Sequence, residues 1–377
     1  MPKKALTQDL DHALLHATPR WHDRLPGGEL RRWDRMVRCV ADHPPARHAL
    51  ESWADGHAPG FQGLRLLTAM IAGLEDHDLY DDCLQRYDPD LSLSPGARTF
   101  VGHGIGPGSL NRFRRLDRPG GARFEKIYRL HSTCYQRMRF AYDKVLPGLV
   151  GSAPDDDGPA LQVPRLIELR CGRKLAAVEF EFVPTHAVPQ PNLPHVLALA
   201  NRFGAVTAGP FRPLPAKLRA TRTALQWSRR RLLALLEAEA PALLAPQGGD
   251  GGLQAALDTW DQRLRTLPGV FTHGDLNTVN LAPGGVVRDW DRAGFLPWGA
   301  ELAYAVQFHA DFDQAEAFLA FCADHVERPG RAAQDRFAFL MYLLHFLPER
   351  FAPGRDRAVY AGTLQALHAA AARLEAA

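Results

Sequence analysis

At 377 residues the chain exceeds an ordinary single domain, so a two-lobed core with an additional segment is expected. A hydrophobic share of 46% beside 23% charged residues is that of a soluble globular protein with a substantial core. A formal net charge of only +3 speaks against a nucleic-acid binder, whose basic surface would dominate the balance.

Five cysteines, Cys39, Cys83, Cys134, Cys171 and Cys322, are scattered, and no two stand at CxxC spacing. They predict buried reduced thiols rather than a zinc site or a disulfide framework. The opening MPKKALTQDLDHALLHATPRWHD lacks the apolar stretch of a secretion signal. The greasiest run, FAFLMYLLHFL from Phe337 to Leu347, falls short of the roughly 20 residues that span a bilayer, and reads as a buried core helix.

In chain order, residues 1–95 are expected to form a helical N-terminal extension. Leu30 to Val40 and Gly63 to Leu74 carry apolar residues at helical spacing, and Leu74 to Asp90 is an acidic helix with aromatic residues interleaved. The character changes at Arg98. RTFVGHGIGPGSLNRFRRL (98–116) places β-prone runs on either side of a glycine-rich turn, DRPGGA turns again, and RFEKIYRL (123–130) is a third strand. A helix is predicted from His131 to Leu146, followed by an acidic loop around Asp155, Asp156 and Asp157. VPRLIEL (163–169) and KLAAVEFEFV (174–183) supply two more strands, giving an α+β unit of five strands with one helix inserted after the third. After Pro184 the pattern is mainly helical: Leu218 to Ala238 with a cationic face, Leu253 to Leu267, and Ala/Leu/Phe-rich helices at the end. The expected division is 1–95, 96–184 and 185–377.

The chemistry concentrates in HGDLNTVNLAPGGVVRDWD, residues 273–291. Phosphoryl transfer asks for a carboxylate to orient an attacking hydroxyl, oxygen ligands for magnesium on the phosphates, and a cation to hold them. The kinase pattern sets the catalytic Asp five residues before a metal-binding Asn, with a second metal-binding Asp beyond a β-hairpin. Asp275 and Asn280 have that spacing, Leu281 to Arg288 can form the hairpin with its turn at Pro283–Gly285, and Asp289 follows. Two hard oxygen ligands suit Mg²⁺, which keeps water and phosphate as its other ligands.

HGDLNTVN followed by RDWDRAG resembles the aminoglycoside phosphotransferase and choline kinase superfamily, because His, Gly, Asp, Asn and the later Asp-Trp fall in the family's order. The resemblance implies a bilobal protein-kinase-like fold, with a five-stranded N-lobe carrying one helix and a mostly helical C-lobe, here preceded by the extension. It implies Asp275 as catalytic base or hydroxyl-orienting residue and Asn280 with Asp289 as metal ligands, while His273 and Gly274 shape the loop. Trp290 and Asp291 stand beside the metal site.

GHGIGPGS (102–109) has no following GK[ST], so it is not a Walker loop. Gly104, Gly106, Gly108 and Ser109 fit instead a hairpin closing over nucleotide phosphates. Lys126, in the next strand, is the expected phosphate-binding lysine, the alternative being a plain surface lysine. Glu181 and Val183 lie where the family binds the adenine edge through backbone groups. The predicted helix 131–146 lacks the Glu that usually holds such a lysine, which leaves Gln136 and Asp143 as candidates, Asp143 the better one electrostatically.

The function implied is transfer of the γ-phosphoryl of ATP, with GTP as an alternative donor, to a hydroxyl of a small molecule such as an amino sugar, amino alcohol or sugar. Mg²⁺ is the implied cofactor. Asp291, Glu301, Asp311, Asp313 and Glu316 could line a cleft for a cationic acceptor, or be ordinary helix-surface residues. A non-catalytic nucleotide-binding scaffold is the competing class. The absence of an APE-like element after Asp289 sets a protein kinase aside. A cytoplasmic monomer or homodimer with no membrane span and no nucleic-acid partner is expected.

Overall fold

The computed structural model describes residues 75–103, 108–110, 112–150, 161–184, 193–212, 252–276, 280–282, 285–306 and 337–343, with positions 61, 64, 65, 68, 71, 72, 218, 232–234, 237 and 334. The helix expected at Leu30 to Val40, the loop at Asp155–Asp157, most of Leu218 to Ala238 and residues Asp311, Asp313 and Glu316 lie outside them. The chain divides into two compact units, residues 1–136 with 164–184, and residues 137–163 with 185–377.

The first unit is built on an antiparallel sheet of five strands, β1 (Arg98–His103), β2 (Arg112–Leu116), β3 (Arg123–Arg129), β4 (Leu166–Cys171) and β5 (Leu175–Glu181), in the order β1-β2-β3-β5-β4. These are the five strands expected from sequence. Side chains alternate across a strand, so the sheet has two distinct faces. One carries Phe113, Phe124, Lys126, Tyr128 and Val178, matched by the pairs Lys126↔Val178 and Tyr128↔Ala176. The other carries Ile127, Leu175 and Ala177, and against it pack Phe61, Leu64, Ile71, Leu79, Tyr80, Cys83 and Leu84. Phe61, Leu64, Thr68, Ile71 and Ala72 are helical and fully or nearly buried, the stripe that i, i+3, i+4 spacing produces. The segment before the sheet is therefore the cover of its second face.

Helix α1 (His77–Tyr87) begins at Asp76, whose carboxylate accepts from the Leu79 N–H at 3.0 Å. It ends at Asp88, whose carboxylate turns into the β4–β5 hairpin and accepts from the N–H groups of Arg173 (3.1 Å), Lys174 (2.8 Å) and Leu175 (2.7 Å). Gly172 is required there, since a Cβ would run into the Asp88 carboxylate.

The covered face also holds a ladder of charge that hydrophobic periodicity does not reveal. Arg114 pairs with Glu125 at 2.6 Å, both 1% exposed, and reaches Asp81 of α1 at 2.6 Å. Glu179 receives Arg170 at 2.6 Å, Arg123 at 3.0 Å and the Ser94 hydroxyl. Arg98 also engages Asp81. Buried charges are tolerated only when paired in this manner, and removing one partner typically costs about 3–5 kcal/mol.

Helix α2 (Thr133–Phe140) starts at Ser132, whose Oγ accepts from Tyr135 N–H at 3.2 Å. It passes through one π-helical turn, Ala141–Val145, into α3 (Leu146–Val150). The expected single helix is thus continuous but widened at its middle, the turn that carries Tyr142 within electrostatic reach of Asp289 and Asp291.

In the second unit, α4 (Leu193–Gly204), α5 (Gly252–Thr266) and α6 (Gly299–Val306) accompany two short strand pairs: β6 (Val270–Thr272) pairs with β9 (Gly294–Leu296), and β7 (Leu281–Ala282) with β8 (Val286–Val287). An aromatic cluster of Phe203, Phe271, Trp290 and Phe295 lies beneath them, with Phe271 and Trp290 stacked at 6.0 Å. Because Phe271 precedes the HGD loop and Trp290 follows the hairpin, this stack pins both ends of the motif to one core. Residues 337–343 are helical and buried, as the greasy run predicts. Among the described residues no helix is long and apolar enough to cross a membrane.

Candidate active site

The HGD loop leaves β6 and is held by its own residues. His273 is fully buried. Its Nδ1 accepts from Asp275 N–H at 3.2 Å, so its Nε2 donates to the Arg288 carbonyl at 2.9 Å. Burial lowers the imidazole pKa, and the ring is therefore the neutral Nε2–H tautomer that these two bonds require. His273 ties the loop to the end of the hairpin and shapes it, as the sequence suggested.

Gly274 adopts φ +76°, and a Cβ there would lie 2.5 Å from the Arg292 carbonyl oxygen. Only glycine meets both conditions. Its N–H donates to Glu301 Oε2 at 3.0 Å. Glu301 is 2% exposed, and burial pushes its carboxyl up to about 7, with the Asp275 charge adding to the shift against the backbone bonds. Glu301 thus buttresses the loop, and is not an ordinary helix-surface residue. Asp291 is likewise buried.

Asn280 donates its Nδ2–H to the Asp275 carbonyl at 2.7 Å, which turns its Oδ1 to the other side of the amide. The Arg288 N–H donates to the Asn280 carbonyl at 3.0 Å. The hairpin turns through Gly285, at φ +80°, as expected, with Pro283 and Gly284 outside the described residues. Asp289 follows β8 at φ +64°, a left-handed conformation that Asp tolerates better than most residues. Asp275 and Asn280 are therefore joined to the end of the hairpin through one set of bonds, Asn280 to Asp275, Arg288 to Asn280, and Arg288 to His273, and Asp289 is the next residue after Arg288. Among the described residues no three His, Cys, Asp or Glu side chains cluster to hold a metal by themselves. A site of one amide oxygen and one carboxylate fits a magnesium ion that draws its remaining ligands from phosphate and water.

Two neighbours of this loop are not evident in the sequence. Tyr304 of α6 donates its hydroxyl to Asp275 Oδ1, and Arg292 Nη1 stands 3.8 Å from the same oxygen. Tyr142, from the π-helical turn, has its phenol pKa raised by burial and then by Asp289 and Asp291.

In the first unit, Lys126 is 4% exposed, which rules out a plain surface lysine. Its Nζ lies 4.9 Å from the Phe113 ring centroid and 5.3 Å from that of Tyr128. Of the two candidates to hold it, Asp143 is bonded to Arg139 at 2.6 Å and Gln136 Nε2 donates to the His131 carbonyl at 3.2 Å. Gly108 and Ser109 run beside β3: the Gly108 carbonyl accepts from Arg129 N–H at 2.8 Å and Ser109 bridges to Tyr128. A Cβ on Gly108 would lie 2.6 Å from Ser132 Oγ, so glycine here lets the segment approach the start of α2. Gly104 and Gly106 lie outside the described residues. Glu181 closes β5 with an exposed side chain, and Val183 is half-buried two residues on.

A model of the phosphotransferase enzyme family matches residues 104–340. The chain belongs to that family. The span that carries the phosphotransferase pattern includes Lys126, Asp275, Asn280 and Asp289 and leaves out the helices covering the sheet's second face. No curated protein matches the sequence. Among solved structures, the chain is similar to an ethanolamine kinase of Plasmodium vivax, at 10% identity over 86% of this chain and 93% of that one, with a TM-score of 0.43. It is similar to an aminoglycoside phosphotransferase of Alicyclobacillus acidocaldarius at 15% identity, over 76% and 93% of the two chains, with a TM-score of 0.43. A macrolide 2'-phosphotransferase of Brachybacterium faecium is 20% identical over 78% and 97%, with a TM-score of 0.36.

Proposed function

We propose that this phosphotransferase is a small-molecule kinase that moves the γ-phosphoryl of ATP to a hydroxyl. The observation that carries the reading is that Asn280 is bonded to Asp275 and that Arg288, the residue before Asp289, is bonded to Asn280, on one loop and hairpin. Asp275 orients the acceptor hydroxyl and takes up its proton as the new O–P bond forms. The bond from the γ-phosphorus to the bridging oxygen breaks, and ADP leaves with that electron pair. Asn280 Oδ1 and the Asp289 carboxylate would hold Mg²⁺, which supplies neutralising charge on the phosphates when bound. Lys126 holds phosphate through its ammonium, with Gly104, Gly106, Gly108 and Ser109 offering backbone N–H groups, and the Glu181–Val183 segment offers backbone groups to the base. The acceptor is an amino sugar, amino alcohol, sugar or related metabolite.

Thermal shift with ATP and magnesium, together with ADP release on a panel of hydroxyl acceptors, tests this. Wild type is expected to be stabilised by MgATP and to phosphorylate an acceptor, Asp289→Ala to lose the magnesium-dependent stabilisation, and Asp275→Ala to lose turnover. A chain that binds MgATP but turns over no acceptor would instead be a nucleotide-binding scaffold.

A further inference from the structure

We infer that Tyr304 is a positioning residue for the phosphoryl-transfer step, holding the Asp275 carboxylate by its Oδ1 oxygen so that Oδ2 is presented to the acceptor hydroxyl; this rests on the kinase reading above. Three observations lead to it.

The bond itself is specific. The Tyr304 hydroxyl donates to Asp275 Oδ1, and Tyr304 is 6% exposed, so the donor acts from a nearly water-free position. A hydrogen bond to a charged group under such conditions is stronger than a neutral one and holds direction as well as distance. A phenol also has few torsions to freeze, so the oxygen's position follows closely from that of α6.

The second observation is where Tyr304 comes from. Glu301 and Tyr304 are three residues apart on α6, the spacing that puts two side chains on one helical face. Glu301 Oε2 accepts from the Gly274 N–H at 3.0 Å, and Tyr304 donates to the carboxylate of the next residue. One helical face thus grips the same dipeptide twice, once by its backbone and once by its side chain. Glu301 sets where the loop is; Tyr304 sets which way the carboxylate faces.

The third is the competing cation. Arg292 Nη1 lies 3.8 Å from the same Oδ1, and its side chain is 50% exposed. An exposed, long side chain can swing to draw the carboxylate toward itself, whereas a buried phenol cannot follow. Tyr304 therefore fixes the rotation of the carboxylate against the exposed charge beside it. Geometric control of this sort acts on the chemical step, because small misplacement of a reacting group is costly in rate.

The test is steady-state ADP release by wild type, Tyr304→Phe and Asp275→Ala, with ATP, Mg²⁺ and a panel of aminoglycosides, macrolides, ethanolamine, choline, simple sugars and water as acceptors. Tyr304→Phe removes one oxygen and keeps the ring in its place, and its melting temperature is read alongside. The expected result is a kcat about tenfold lower in Tyr304→Phe, with KM for ATP and for the acceptor within about twofold of wild type and an unchanged melting temperature. Asp275→Ala loses turnover. A wild-type kcat in Tyr304→Phe, with Asp275→Ala inactive, overturns the positioning role and leaves the kinase reading standing. So does a fall in kcat that comes with a matching fall in melting temperature, since that is loss of folded protein. If wild type releases no ADP with any acceptor, or if Asp275→Ala matches wild type, the kinase reading fails and this inference falls with it.

Discussion

Glu301→Gln should remove the loss of stability with rising pH that Glu301 brings to the second unit. Burial raises the Glu301 carboxyl from 4.5 to about 7 in the folded chain. A carboxyl raised in this way gives up its proton more readily when unfolded, so between those two values the unfolded state binds fewer protons and stability falls as pH rises. Below 4.5 both states are protonated and the group contributes nothing; above about 7 both are ionised and the full loss is present. At about 1.4 kcal/mol per pH unit, the separation corresponds to a loss of about 3 kcal/mol by pH 8. Glutamine has the shape of the neutral acid, keeps an oxygen for the Gly274 N–H and never ionises. The variant is therefore expected to match wild type near pH 4 and to exceed it by about 3 kcal/mol at pH 8. Urea titrations followed by the fluorescence of Trp260, Trp290 and Trp298, all buried in this unit, measure the difference. A difference that stays flat from pH 4 to 8 would refute the reasoning, because it would mean that Glu301 is ionised at no net cost.

Asp88→Ala removes the acceptor of three backbone N–H groups in the β4–β5 hairpin and is expected to cost about 3 kcal/mol, read as a lower urea midpoint at pH 7. Burial alone would raise the Asp88 carboxyl, but the N–H groups of Lys174, Leu175 and Arg173 outweigh it and hold it below its ordinary value. Its contribution is thus present above the unfolded carboxyl's value and is lost as pH falls through the lower folded one, so wild type and Asp88→Ala should converge in strong acid. Gly274→Ala forces a positive φ on a residue with a Cβ and drives that Cβ against the Arg292 carbonyl. A loss of more than about 2 kcal/mol is expected, together with loss of turnover, in thermal unfolding and ADP-release assays.

The five strands and the helix after the third were legible because each obeys a local rule: alternation in RFEKIYR, glycine turns on either side, helical spacing beyond. The π-helical turn at Ala141–Val145 was not, since it changes hydrogen-bond partners without changing the apolar pattern. The role of residues 61–87 was also hidden. Their apolar stripe predicts a helix with one buried face, but nothing in it says that the partner is the sheet face opposite Lys126. The charged ladder was hidden for the opposite reason. Arg114, Glu125 and Glu179 read one by one as surface residues, and only strand register aligns them under a common cover.

At the site the same division holds. HGDLNTVN and RDWD name the carboxylates and the amide that phosphoryl transfer demands, because those groups must follow one another on a single loop and hairpin, and a continuous stretch of chain records that order. The sequence by itself therefore determined the family and the order of Asp275, Asn280 and Asp289 along the chain. Tertiary structure alone decided what holds them. Glu301 and Tyr304 are more than twenty residues beyond the loop, and they reach Gly274 and Asp275 only because α6 folds back behind it. Such contacts depend on distances between elements, which a linear order of residues does not encode.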